Sequence, residues 1–566
     1  MFKPTAGEQL VDLLIEWGVD HIYGMPGDTI NSIIEPLRKA QDKIKFIQVR
    51  HEEAGALAAA AYAKMTGKLG VCMAIAGPGA IHLLNGLYDA KLDGAPVLAI
   101  TGQVESDQIG TGSFQEVNLE RMFDDVAVYN QRIMSAEQLP AVVNQAIRMA
   151  YAKKGVSVLS IPDDIPKFEV GKEAKMTSSF TVKQTVLPQI EDLQQAKKLI
   201  DASKQPVILA GRGAHGTREE LLAFAEKIAA PIVLTLPGKG VIPDKHTYCM
   251  GGLGLLGTKP AYEAMQETDL LIMIGTSYPF TGFLPDKAKN IQIDIDPGKI
   301  GQKYPVDIGL AGETKATLDW LNQYISHKED RSFLERSMER MNKWWEKLDR
   351  QEEESSVPIK PQRVIRALEN VVSDDAILSV DVGNVTVWAA RHFHMTNQQF
   401  VISSWLATLG CGLPGAIAGK MAYPDKQVFA ICGDGGFAMT MADFVTAVKY
   451  QLPIIVIVLN NDKIAMIKFE QEVLGNIEYA TDLKNPNFAQ YAEACGGVGY
   501  RVENPEDLLP ALKDAIQQHK PCIIDVIVDA DEAPMPSNIT FAQAACYTKH
   551  TLKALFQEGR LDLPPL

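Results

Sequence analysis

The chain has 566 residues, 46% of them hydrophobic, and a formal net charge of −15 at pH 7. That length predicts three to four domains with ample core, and the negative charge, with no dense Lys/Arg block, excludes a nucleic-acid partner held by counterion release. Seven scattered cysteines without Cys-x-x-Cys spacing read as buried free thiols. With no charged-then-apolar leader and no apolar run near 18 residues, a cytoplasmic chain is expected.

From Ala6 to about Phe168 the sequence alternates helical patterns with short apolar runs near His21 to Tyr23, Ile44 to Val49, Gly70 to Ala76, Val97 to Thr101 and Ser157 to Ile161. This rhythm predicts an α/β fold with a parallel sheet, in a first domain spanning 1–180. Turns at predicted strand ends carry Gly24-Met25-Pro26-Gly27 and Gly77-Pro78-Gly79, and Arg50-His51-Glu52-Glu53 leads into an Ala-rich helix. Acidic residues there suit the helix dipole, which suffices for Glu53.

A second α/β domain is expected over 190–326, with strands Val207 to Ala210, Ile232 to Leu236, Leu270 to Ile274 and Ile291 to Ile295. Gly211-Arg212-Gly213-Ala214-His215-Gly216 matches the dinucleotide fingerprint in form. The next strand ends in Leu234-Thr235-Leu236-Pro237 with no acid for a ribose, so a conventional NAD site is not inferred. Residues 327–357, with Trp344-Trp345, read as a charged helical linker, and a third α/β domain follows over 358–530. The tail, 531–566, has an amphipathic pattern from Phe541 to Phe556. Packing on its own protein is expected, although Lys549, His550 and Lys553 beside apolar residues also suit peripheral contact with the inner face of a membrane.

In the third domain an apolar strand (Val428 to Cys432) runs into Gly433-Asp434-Gly435-Gly436, and Asn461 follows 27 residues later, after a second apolar run, Ile454 to Leu459. Parallel pairing returns both strand ends to one sheet edge. A glycine turn at a helix N-terminus suits a phosphate, and a carboxylate with an amide oxygen suits Mg²⁺. The residues alone thus predict a metal and diphosphate clamp.

The spacing from Gly-Asp-Gly to Asn-Asn resembles the thiamine diphosphate (ThDP) motif of the ThDP-dependent decarboxylase, carboligase and oxidase family, and the likeness spans nearly the whole chain. It implies three consecutive parallel-sheet α/β domains that bind the pyrimidine, FAD and the diphosphate in turn. Asp434, Asn461 and the carbonyl of Lys463 would hold Mg²⁺, and Gly383, Asn384, Gly410, Gly433, Gly435 and Gly436 would line the diphosphate. Glu52 would bond N1′ of the pyrimidine and relay its proton, with Leu409 beneath the cofactor to bend it. Pro26, Gly27, Pro78 and Asn85 would line the pyrimidine and substrate pocket, near His82, Phe114 and Gln115.

Segments Asn85 to Ala90, Phe114-Gln115-Glu116 and Ile467 to Gln471 are most similar to the pyruvate oxidases. Gly254, Gly275, Thr276, Tyr278, Asp294 and Asp296, with Gly211, Arg212 and Gly213 of the fingerprint, resemble the extended FAD site shared by pyruvate oxidases and acetolactate synthases. The resemblance implies oxidative decarboxylation of pyruvate, with phosphate and O₂ or a quinone completing the reaction. An acetolactate-forming carboligase with non-redox FAD and a non-oxidative 2-keto-acid decarboxylase are the alternatives. Met466 stands where the oxidases carry phenylalanine, and Glu470 would border thiazolium and flavin. Glu52 of one subunit would reach the cofactor of another, making a homodimer the minimal active unit and a homotetramer the expected assembly.

Overall fold

A computed structural model describes residues 3–170 and 185–534. The amphipathic tail segment and most of the polar stretch after Phe168 lie outside these residues. The described chain forms three six-stranded, wholly parallel sheets with helices on their faces.

The first sheet contains β1 (His21–Gly24), β2 (Lys45–Gln48), β3 (Gly70–Ala74), β4 (Val97–Gln103), β5 (Ala127–Arg132) and β6 (Val156–Pro162), in the spatial order β2-β1-β3-β4-β6-β5. The second contains β7 (Pro206–Ala210), β8 (Ile232–Leu234), β9 (Cys249–Gly252), β10 (Leu270–Ile274), β11 (Lys289–Asp294) and β12 (Ile308–Ala311), in the order β12-β11-β10-β7-β8-β9. The third contains β13 (Ile377–Val380), β14 (Gln399–Val401), β15 (Val428–Gly433), β16 (Ile455–Asn460), β17 (Val498–Val502) and β18 (Cys522–Ile527), in the order β14-β13-β15-β16-β18-β17. Central strands such as β3, β7 and β16 are buried along their whole length, as continuous apolar runs covered by helices on both faces must be.

Numbered within each sheet, the first and third share one order, 2-1-3-4-6-5, whereas the second reads 3-2-1-4-5-6, the order of dinucleotide-binding sheets. In an open parallel sheet, ligands bind beyond the strands' carboxyl ends where the order reverses. Those switch points fall between β1 and β3, between β7 and β10, and between β13 and β15. All the glycine-rich turns singled out above, apart from the loop around Gly254, lie at these places.

The first and third sheets share a single apolar cluster. Helix Glu52–Thr66 packs against helix Gly412–Ala422, with Ala61 at the contact. The fit needs small residues: a Cβ at Gly415 would lie 2.2 Å from Ser379 Oγ and 3.6 Å from Ala61 Cβ. Helix Ser332–Glu352, the predicted linker, packs Trp344 and Trp345 on the core of the second sheet.

A buried ionic cluster ties all three sheets together. Lys64 lies 2.6 Å from both Asp89 and Asp93 and donates to the carbonyl of Ile402 at 3.1 Å. Arg212 pairs with Asp93 at 3.1 Å and reaches Ser404 Oγ at 3.0 Å. Removing the lysine would strand two carboxylates away from water. Lys64→Met is therefore expected to destabilise the protein by about 3–5 kcal/mol, read as a lower urea midpoint, and Lys64→Met/Asp89→Asn should recover part of it.

The described cysteines are free, all buried except the half-buried Cys495. Among the described residues no helix is long and apolar enough to cross a membrane.

Candidate active site

The third sheet's switch point opens into a cavity of about 220 Å³. On one side β13 ends before Gly383, which sits at φ +117° and leads helix Asn384–His392. On the other, β15 ends in Gly433, which leads helix Asp434–Thr440. Neither helix is capped by the side chain before it; Gly435 N is taken by Asp434 Oδ1 and Thr386 N by the Gly383 carbonyl, and the other N–H groups of the two first turns remain for an anion. Asn384 Oδ1 in the same wall is buried and makes no hydrogen bond. Such a cradle fits a diphosphate.

Asp434 stands at the cavity's edge, 2% exposed. Its Oδ1 accepts from Gly435 N at 2.9 Å, and its Oδ2 accepts from Asn461 N at 3.2 Å and from Asn485 Nδ2 at 2.8 Å. Burial pushes its carboxyl up to about 6, against the opposing pull of these donors. The predicted clamp therefore closes in space: strand pairing puts Gly433 opposite Leu459, and Asn461 follows at the next turn.

Asn461 Oδ1 accepts from Lys463 N at 3.2 Å, which wraps the turn around Asp462 at φ +53°. The Lys463 ammonium is committed elsewhere, to Glu478 at 2.7 Å and Asp482 at 2.6 Å, leaving only its carbonyl for a metal. Leu409 and Met466 line the apolar side of the cavity with Trp388 and Ile464. Glu470 is exposed on helix Ala465–Val473 and is not part of the lining.

A second cluster sits at the edge of the first sheet. Glu52 opens helix Glu52–Thr66 and is 9% exposed, and its Oε2 lies 2.9 Å from His82 Nδ1. His82 in turn stacks on His51 with ring centroids 4.4 Å apart. Pro78 starts the short helix that ends at His82. A Cβ at Gly79 would come within 3.1 Å of Glu52 Oε1, so glycine leaves that carboxylate room.

Gly77, at φ +61°, leaves 2.7 Å between its missing Cβ and the carbonyl of Gln115, itself at φ +63°. Gly27 packs on Ile75, Pro26 is exposed beside it, and Phe114 is 87% exposed. Asn85 bridges the two clusters: its Nδ2 donates to Glu53 Oε1 at 2.5 Å and to Thr408 Oγ1 at 2.8 Å, next to Leu409. Glu53 thus has a structural task. The residues lining the third sheet's cavity come from that sheet and its flanking segments, and Glu52, His82 and Gln115 are not among them.

At the second sheet's switch point three glycines let two turns touch. Gly213 N donates to the carbonyl of Gly275 at 3.0 Å, and a Cβ at Gly275 would fall 2.3 Å from Gly213 Cα. A Cβ at Gly211 would lie 2.6 Å from that of Thr276. Gly254, at φ +98°, leaves 2.5 Å to the Tyr278 hydroxyl, which is buried and makes no hydrogen bond. Asp294 is buried, accepts from Asp296 N at 2.9 Å, and has its carboxyl raised by burial. Asp296 caps the turn at Gly298 N. Arg212 departs from the expected grouping, because its guanidinium is turned to Asp93 and Ser404.

Two residues of the third sheet's site were not foreseen. Asn485 donates to Asp434, to Asn460 Oδ1 at 3.1 Å and to Asp462 Oδ1 at 3.0 Å, holding the turn after β16 to Asp434. Asp381, at the end of β13, is wholly buried and accepts backbone N–H groups from the turn that carries Leu409. A polar residue directly after an apolar strand is the signal that marks Asp381.

Three family models match the chain in order: the N-terminal TPP binding domain of thiamine pyrophosphate enzymes over residues 4–122, their central domain over 193–321, and their C-terminal TPP binding domain over 381–526. The chain belongs to the thiamine pyrophosphate enzymes. Thiamine pyrophosphate is the ThDP of the sequence resemblance, and the cofactor-binding models cover both edge clusters.

Among relatives of this thiamine pyrophosphate enzyme, the "Putative thiamine pyrophosphate-containing protein YdaP" of Bacillus subtilis (strain 168) is 53% identical, over 100% of this chain and 99% of its own. The pyruvate oxidase of Lactiplantibacillus plantarum is 37% identical over 99% of this chain and 94% of its own. The acetolactate synthase of Mycobacterium bovis is 33% identical over 94% and 89%.

Proposed function

We propose that this enzyme oxidatively decarboxylates pyruvate with ThDP, Mg²⁺ and FAD, yielding CO₂ and either acetyl phosphate, with phosphate and O₂ and release of H₂O₂, or acetate, with a quinone as acceptor. The observation that carries the reading is the middle sheet: its 3-2-1-4-5-6 order is that of dinucleotide-binding folds, and close-packed glycine turns with an unsatisfied Tyr278 hydroxyl occupy its switch point. Similarity to a pyruvate oxidase over almost the entire chain supports it.

When bound, ThDP supplies a carbon nucleophile and an electron sink for the departing CO₂. In this reading Asp434, the side-chain oxygen of Asn461 and the Lys463 carbonyl hold Mg²⁺, while the uncapped turns after Gly383 and Gly433 take the diphosphate. Leu409 props the cofactor from below, and Glu52 holds a proton at N1′. Glu52 is absent from the lining of the diphosphate cavity of its own chain, which favours a homodimer as the minimal unit, with the tetramer as its doubling.

Acetolactate formation is the second reading, favoured by the 33% identical synthase. Mixing the enzyme with pyruvate without oxygen separates the two. An oxidase bleaches its flavin, and O₂ or a quinone, with and without phosphate, then restores the colour. A flavin that stays yellow would overturn the proposal, and a protein purified without flavin would point to the non-oxidative decarboxylase.

Met466 lines the cavity where an aromatic ring is expected from the resemblance. Methionine is flexible and polarizable, so it fills the space without fixing it. Met466→Phe is expected to speed flavin bleaching several-fold in stopped-flow, and an unchanged rate would remove any gating role for this side chain.

A further inference from the structure

We propose that Asp381 is a positioning residue for cofactor activation, holding the turn that carries Leu409 at a fixed height above the diphosphate helix. The inference rests on the reading of Leu409 as the prop beneath ThDP.

The turn from Ala407 to Gly412 is not a default conformation. Ala407 sits at φ +54° and Gly410 at φ +86°, so left-handed backbone lies on both sides of Leu409, at a cost for the alanine. Something must hold it. Asp381 Oδ1 accepts from Gly410 N at 2.9 Å and from Val382 N at 2.8 Å, and Oδ2 lies 3.4 Å from Gly412 N. The carboxylate thus gathers donors from both sides of the switch point.

The other half of the grip comes from the diphosphate helix. Thr440 Oγ1 donates to the carbonyl of Gly410 at 3.0 Å, so Gly410, next to Leu409, is held at both its N–H and its C=O. The same helix starts at Asp434. Its Gly436 abuts the carboxylate so closely that a Cβ there would lie 2.8 Å from Asp381 Oδ2. Metal ligand, diphosphate turn and prop are therefore keyed to one buried group.

Both carboxyl oxygens of Asp381 are used to meet this demand. Three N–H donors converge on two oxygens, whereas asparagine offers one oxygen and turns an NH₂ donor toward a backbone N–H. A carboxylate that merely stabilised the sheet would, when replaced, lower the melting temperature without singling out Leu409.

The test uses the holoenzyme with saturating Mg²⁺ and ThDP, following exchange of the cofactor C2 proton by NMR after acid quench, and the apoprotein, following backbone amide exchange. Asp381→Asn is expected to slow C2–H exchange on the order of 100-fold, the scale of a misplacement of about 1 Å. Amide exchange should rise over residues 407–412 more than over 434–440. Asp381→Asn/Leu409→Ala should be no slower at C2 than Leu409→Ala alone.

Wild-type C2–H exchange in Asp381→Asn, or losses that multiply in the double variant, would overturn the role of Asp381. Wild-type exchange in Leu409→Ala would instead overturn the reading of Leu409 on which the inference rests. Should Asp381→Asn fail to fold, Thr440→Val decides: a smaller loss in the same direction, with faster amide exchange at 407–412, supports the grip, and wild-type behaviour overturns it.

Discussion

Glu52→Gln is expected to lower kcat by about 10²–10⁴-fold, the usual worth of a positioned acid–base group, while ThDP still binds. Glutamine keeps the volume and one acceptor oxygen, so the pocket beside Gly79 should survive, but it cannot carry a proton between its neutral and ionised forms. The structure gives Glu52 the surroundings for such work: it is nearly buried, opens a helix and meets His82 at 2.9 Å. The neighbouring Glu53 is occupied by Asn85, so Glu53→Gln should instead weaken the tie to Thr408 and reduce turnover far less. Steady-state rates alongside a ThDP titration check both. Near-wild-type turnover in Glu52→Gln would remove Glu52 from the proton path.

Asp434→Ala is expected to weaken binding of Mg²⁺ with ThDP by at least about 100-fold, more than the loss typical of a supporting partner. The backbone donors of Gly435 and Asn461 would lose their side-chain acceptor, and Asn485 one of its three. A pH dependence accompanies this. The carboxyl of the folded protein is held at about 6, above its ordinary value of 3.8. Between about pH 4 and 6 the folded apoprotein therefore keeps a proton that the unfolded chain has released. This group's contribution to stability falls as pH rises through that window, by up to about 3 kcal/mol, and is level above it.

A metal competes for the same oxygens, so apparent affinity for Mg²⁺ with ThDP should fall about tenfold per unit below pH 6 and flatten above. Calorimetric titrations from pH 5 to 8 read this directly. A flat profile in the wild type would show that Asp434 does not exchange its proton for the metal.

The parts of the fold most legible in the sequence were those with the simplest environment. Strands such as β3, β7, β10 and β15 are buried on both faces, and their continuous apolar runs announce them. Six strands were not named from the sequence, β5, β9, β12, β14, β17 and β18; among them the edge strands β5 and β12 are largely half exposed, and their polar residues blur any pattern. The site divides in the same way. Asp434 and Asn461 are joined by one βαβ step, so their spacing alone brings them together. Asn485 and Asp381 act through hydrogen bonds across separate turns, which no periodicity records. Arg212 is the clearest case: its partners, Asp93 and Ser404, are 119 and 192 residues away, and a glycine-rich setting gave no hint of them.

The common strand order of the first and third sheets has a consequence for ancestry. Two six-stranded units wound alike, each presenting its turns at the equivalent switch point and sharing an apolar cluster through Ala- and Gly-rich helices, are what duplication and fusion of one module would leave. The middle sheet, wound differently, stands outside that relation.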